Sequence, residues 1–170
     1  MTHNRIHDLT VTALSAALAI VLGLVGKALP LRLPQGGSIT LETVPIFLVA
    51  CWKGPRVGCT AGLLTGVLQL LLGAYILHPI QVLLDYPIPF TLLGLSGLVS
   101  PRLGILLGGT ARFFSHFVSG IVFFASYAPE GTPVWIYSAL YNLSYTVPET
   151  LIALFAVPFL LKRLPQKNRT

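Results

Sequence analysis

Asp85 is an isolated carboxylate in a long apolar stretch. It lies within His78–Phe90 (HPIQVLLDYPIPF) and has no Lys or Arg within fifteen positions on either side. A carboxylate inside a membrane segment costs about 2.5–3.5 kcal/mol on insertion scales, so its presence marks a role. The membrane premise comes from composition. Of the 170 residues, 54% are hydrophobic and 9% are charged, against about 25% charged in soluble domains. One helical span takes about 20 apolar residues, which leaves room for about six short spans and no separate soluble domain. Read as a helix, His78, Gln81 and Asp85 follow i, i+3, i+7 and share one face. That face is expected to look into a cavity.

The chain therefore reads as one all-α bundle of six transmembrane helices over residues 1–170. The spans are expected at about 8–29, 39–52, 55–72, 79–99, 102–127 and 134–161. Asp8 or Thr10 would cap the first and Pro30 would end it. The second is short and broken by Pro45, which suggests a tilted or interfacial segment. In the third, Gly58, Gly62 and Gly66 recur every four residues, a surface for close helix contact. In the fourth, Pro87 and Pro89 should bend the helix and free carbonyls, which protein or a wet cavity must satisfy. Ala13, Ala16 and Ala17 give the first helix a small-residue face.

Orientation follows the basic residues. With both termini inside, the cytoplasmic segments hold Arg5, Lys53, Arg56, Arg102, Lys162, Arg163, Lys167 and Arg169, and the outer ones Lys27 and Arg32. That bias of eight against two favours N-in and C-in. The net charge of +6 is spread between apolar segments rather than along one stripe, which argues against nucleic acid as a partner. Cys51 and Cys59 then flank a cytoplasmic basic loop, where a disulfide is not expected.

Depth brings several residues together. Asp85 lies about 9 Å below the outer end of the fourth span at 1.5 Å per residue. Tyr137, Tyr141 and Asn142 fall within about 13 Å of the outer end of the sixth by the same rise. His116 and Gly120 fall in the outer half of the fifth, and Glu42 near the outer start of the second. Polar and aromatic groups from four helices thus share one level, a binding site open to the outer side. The fifth helix carries a stripe of Arg112, Ser115, His116, Ser119, Gly120 and Phe123. The sixth carries Ser138, Tyr141, Asn142, Tyr145 and Glu149. Interhelical hydrogen bonding, worth about 0.6 kcal/mol per contact, and ligand contact both fit such stripes. Arg112 is expected to pair with Glu149 below the pocket. Tyr75, Tyr86, Phe123, Phe124, Trp135, Tyr137 and Tyr141 gather near the outer end, either as an interfacial belt or as stacking partners. Aromatic faces with two uncompensated carboxylates, Glu42 and Asp85, suit a cation or a cationic ring.

No HExxH, GxSxG or GxxxxGK[ST] motif is present, so the chain has no phosphate loop for ATP of its own. No CxxC or Cys/His metal pattern occurs. His116 with Ser119 lacks an orienting third group for a hydrolytic dyad.

Three stretches and a short helical segment carry a resemblance: GGSITLETVPIFLVACWKG, GVLQLLLGAYILHPIQVLLDYP, ARFFSHFVSGIVFFASYAPEG and WIYSALYN. Together they make the chain similar, over nearly its full length, to the ThiT/YuaJ family of thiamine-specific substrate-binding (S) components of energy-coupling factor (ECF) transporters. The resemblance implies a six-helix, non-enzymatic protein of the bacterial cell membrane, with no cofactor. It would capture thiamine from outside and dock on a transmembrane coupling protein with two cytoplasmic ATPases. It implies that Ala13 and Ala17 form the AxxxA docking face. It assigns ligand contact to Asp85, Tyr86, Tyr75, His116, Gly120, Tyr137 and Asn142. Asp85 is one methylene shorter than the glutamate of some members. Phe124 stands where some members stack a tryptophan, and a second tryptophan has no counterpart among Gln35 to Ser38. An S component for another vitamin or a pyrimidine precursor, and a self-sufficient secondary transporter, are the alternatives.

Overall fold

The computed structural model describes residues 2–28, 33 and 37–165. Pro30 as a helix stop, Gln35 and Gly36 of the loop, and Arg32, Lys167 and Arg169 of the charge count lie outside them. The described residues are all-helical. The helices are α1 (Thr2–Ala28), α2 (Thr43–Lys53), α3 (Pro55–Leu71), α4 (Pro79–Asp85), α5 (Pro87–Leu93), α6 (Pro101–Phe123) and α7 (Val134–Leu161). α5 runs on into a 3-10 turn at Gly94–Leu98, and a second such turn follows α6 at Ala125–Tyr127. Counting α4, α5 and the first turn as one broken rod gives the six expected segments. Three of them, Arg5–Ala28, α6 and α7, are individually long and apolar enough to cross a membrane.

Proline placement explains most boundaries. α3, α4, α5 and α6 each carry Pro in the first turn, where the missing N–H has no intrahelical partner to lose. The fourth segment breaks at Tyr86 (φ −124, ψ −80), the residue that Pro87 excludes from helical backbone. Pro45 does not break the second segment. It sits in the first turn of α2, so the helix begins late instead of kinking. α1 starts before Asp8, so neither expected cap acts as one. Thr10 Oγ1 instead donates to Ile6 O at 2.9 Å inside the helix.

α2 is the hub rather than an interfacial segment. Thr43, Val44, Pro45, Ile46, Phe47, Val49 and Ala50 are all buried. α1, α3 and α7 pack around it, with the Gly94–Leu98 turn closing one side. Phe47, Ile46, Leu93 and Ile105 form the core beside it. The α3 glycines make the expected close contact. A Cβ on Gly62 would run into the Phe90 carbonyl, and one on Gly66 would lie 2.6 Å from Tyr86 O. α3 thereby lies directly on the backbone of α5.

The outside is apolar. Leu14, Leu18 and Val21 of α1, Leu103 and Phe114 of α6, and Leu151 and Phe155 of α7 are exposed. Such surface fits hydrocarbon as its solvent. Ala13 and Ala17 lie exposed on α1, while Ala16 is buried with Ala19. The outward small-residue face is therefore the first pair alone.

Charge divides between the two ends. At one, Lys53 Nζ sits 3.5 Å from Asp8 and 3.0 Å from His7 Nδ1, and the Trp52 indole donates to Pro165 O at 3.0 Å. Cys51 and Cys59 are free thiols on this side of the bundle. The other end holds the cavity.

Candidate functional site

The break at Tyr86 places the candidate residues. α4 ends at Asp85 and α5 starts at Pro87, so Asp85 and Tyr86 leave the rod between two short helices. They face the C-terminal half of α6 and the start of α7. Ser115 Oγ donates to Leu84 O at 2.7 Å, which fixes α4 against α6. On the other side, Gly120 lets α7 approach α6. A Cβ there would collide with Ser138 Oγ and lie 3.3 Å from Asn142 Nδ2.

These elements enclose a cavity of about 400 Å³, within the range of small-molecule sites. Its wall includes all nine residues singled out as ligand contacts: Glu42, Tyr75, Asp85, Tyr86, His116, Gly120, Phe124, Tyr137 and Asn142. Asp85 Oδ2 accepts from Gln81 Nε2 at 2.6 Å, and Oδ1 lies 3.4 Å from His116 Nδ1. Among the described residues no lysine or arginine pairs with it. The other His116 nitrogen, Nε2, is buried without a protein partner. Asn142 Nδ2 donates to Ser138 O at 2.8 Å, and its Oδ1 accepts from Tyr145 Oη at 2.5 Å. Aromatic rings line the rim in two groups. Tyr75 stacks on Phe124 with centroids 6.0 Å apart, Phe124 leans on Tyr127 at 5.9 Å, and Tyr137 on Tyr141 at 6.0 Å.

Three expected members, His78, Phe123 and Trp135, stand outside the wall. His78 caps α4, its Nδ1 accepting from Ile80 N at 3.1 Å, and stacks on Phe123 with centroids 5.2 Å apart. It therefore does not share the cavity face of Gln81 and Asp85. Trp135 is 59% exposed and absent from the wall, which fits the interfacial reading.

Glu42 also differs from its expectation as an uncompensated carboxylate. Its Oε2 accepts from Gln69 Nε2 at 2.7 Å, and its Oε1 lies 3.7 Å from Arg112 Nη2. Arg112 forms the expected ion pair with Glu149. Glu149 Oε1 also accepts from Thr40 N and Thr40 Oγ1, both at 2.9 Å. Lys27 Nζ donates to Gln69 Oε1 at 2.9 Å. A chain of paired charges and amides thus forms the cavity floor and ties α1, α3, α6 and α7 to the entry of α2. Of the two carboxylates in the cavity wall, Asp85 is the one with no lysine or arginine partner among the described residues.

Lys27 and Gln69 were missed as wall residues. Gln69 carried a signal, being a lone amide in the apolar run GVLQLLL. Lys27 resembled an ordinary loop-flanking cation. No group of three His, Cys, Asp or Glu able to hold a metal occurs among the described residues.

Known proteins resemble this chain in sequence and fold. A family model described as Thiamine transporter protein (Thia_YuaJ) matches residues 9–169. The chain is 38% identical to a protein named Thiamine transporter ThiT of Bacillus subtilis, over 91% of this chain and 90% of that one. It is 31% identical to the protein of the same name from Lacticaseibacillus paracasei, over 96% and 91%. The solved structure of ThiT from Listeria monocytogenes superimposes with a TM-score of 0.85 at 30% identity, covering 95% of this chain and 97% of that one.

Proposed function

The chain belongs to the Thiamine transporter protein (Thia_YuaJ) family, and from that premise we propose that it binds thiamine in the cavity beneath Tyr75 and delivers it as the S component of an ECF-type importer. It is a membrane transport protein, not an enzyme. One observation carries the ligand reading. Asp85 is a carboxylate at a largely buried, aromatic-walled site, with Gln81 and His116 as neighbours and, among the described residues, no lysine or arginine paired to it. A carboxylate so placed is stabilised by a cation that arrives with the ligand, and aromatic faces favour the same charge. Thiamine carries such a charge in its thiazolium ring. In this reading Asp85 faces the thiazolium. Tyr86, Tyr75 and Phe124 cover the ring system, while His116, Asn142 and Tyr137 bind its polar edge. Glu42 shapes the floor through Arg112 rather than meeting the ligand cation alone.

The cavity end faces outward, with both termini inside, as the basic bias of the connecting segments favours. Ala13 and Ala17, exposed on α1, form the face that docks on the coupling protein, which two cytoplasmic ATPases drive. The test is titration of the purified protein with thiamine, riboflavin and folate, followed by intrinsic Trp and Tyr fluorescence. Saturable binding is expected for thiamine, tighter than for the other two. A flat thiamine titration contradicts the ligand assignment. Uptake into liposomes by this chain without ATPases would contradict the S-component role.

A further inference from the structure

The segment Leu72–His78 joins α3 to α4 and forms part of the cavity rim. It buries little of itself. Tyr75, Ile76 and Leu77 are 38%, 66% and 47% exposed. Polar anchors hold it instead. Tyr75 N donates to Tyr86 Oη at 2.7 Å, Tyr75 O accepts from Gln81 Nε2 at 3.1 Å, and Leu77 N donates to Gln81 Oε1 at 2.9 Å. Gln81 is 1% exposed, in contrast to the segment it holds. A primary amide has two N–H donors and one carbonyl acceptor. Here the acceptor and one donor go to the rim, and the other donor goes to Asp85 Oδ2 at 2.6 Å. One planar group therefore holds both the rim backbone and the cavity carboxylate. Rotating it to release one disturbs the other.

We propose that Gln81 is a positioning residue that couples the Asp85 carboxylate to the Leu72–His78 rim, so that a ligand held at Asp85 leaves at a rate set by how firmly Gln81 holds that rim. Packing alone would be served as well by an apolar side chain at a site this buried. The three directed hydrogen bonds serve orientation. The inference rests on the proposed thiamine reading for its kinetic consequence, and on geometry alone for its effect on the rim.

Gln81→Met keeps the length of the side chain and removes every polar contact. Three measurements on the full chain test the coupling. Hydrogen exchange should show the Leu77 amide, which loses its Gln81 Oε1 acceptor, less protected by about 10-fold, the scale of one lost hydrogen bond to a buried partner. Unchanged protection overturns the proposal, whether or not thiamine binds. Stopped-flow fluorescence should show thiamine dissociating about 10-fold faster, with association altered by less than about threefold. An unchanged dissociation rate overturns it. Finally, Gln81→Met combined with Asp85→Asn should change the rate by less than the product of the two single effects, since one acts through the other. A full product overturns the coupling. Gln81→Leu likewise removes all three contacts, and the same three readouts apply to it should Gln81→Met not fold. Failure of the wild-type protein to bind thiamine counts against the ligand assignment alone, and hydrogen exchange then decides the role of Gln81.

Discussion

Arg112 and Glu149 pair across the α6–α7 interface, both almost wholly buried. Glu149 also receives the Thr40 backbone and hydroxyl, so the pair clamps the entry of α2 to the cavity floor. Removing one partner leaves an uncompensated buried charge, which costs about 3–5 kcal/mol. Arg112→Met should therefore lower the thermal midpoint in detergent sharply. The double variant Arg112→Met with Glu149→Leu should recover part of the loss. A midpoint unchanged in Arg112→Met would show that the pair carries no stability.

Gly62 tests the packing of α3 on α5. Its added Cβ would meet the Phe90 carbonyl carbon at 2.6 Å, a backbone atom that cannot swing aside. Gly62→Ala should destabilise by about 1–3 kcal/mol, the cost of overpacking. Thermal unfolding measures it, with Gly54→Ala as a contrast. At Gly54 no atom lies within 4 Å of the added Cβ, and any cost comes from its positive φ of 99°.

Much of this arrangement was legible in the chain itself. The α3 glycine repeat and the α6 and α7 polar stripes follow from helical spacing, which is local, and the Arg112–Glu149 pair follows from the shared depth of the two residues. The nine expected wall residues come from four helical segments and one loop, and depth counted from helix ends brings most of them to one level. What spacing and depth could not show was that Arg112 also faces Glu42. Glu42 looked as free as Asp85 because Arg112 and Gln69 are distant in sequence and meet it only through packing. His78 shares the Asp85 face only as a helical residue, and it instead caps α4, which begins at Pro79. The second segment looked too short and broken for the core. Its proline lies in the first turn, and helices on several sides cover it.

Ala13 and Ala17 are exposed one turn apart on α1, away from the cavity wall. A bulky ring there would hold a docking helix away without touching the ligand site. Ala13→Trp or Ala17→Trp should leave thiamine binding within about twofold and abolish ATP-driven uptake when the coupling module is present. Binding and uptake measured on the same variant decide it. Normal uptake places the docking face elsewhere.

Asp85→Asn tests the central claim most directly. The variant keeps shape and the contact with Gln81 while removing the charge. Thiamine affinity, measured by calorimetry on wild-type and variant protein at one ionic strength, should fall by about 1.5–3 kcal/mol, roughly 10- to 150-fold in Kd. An unchanged Kd would contradict the assignment of Asp85 as the carboxylate that meets the ligand's positive ring.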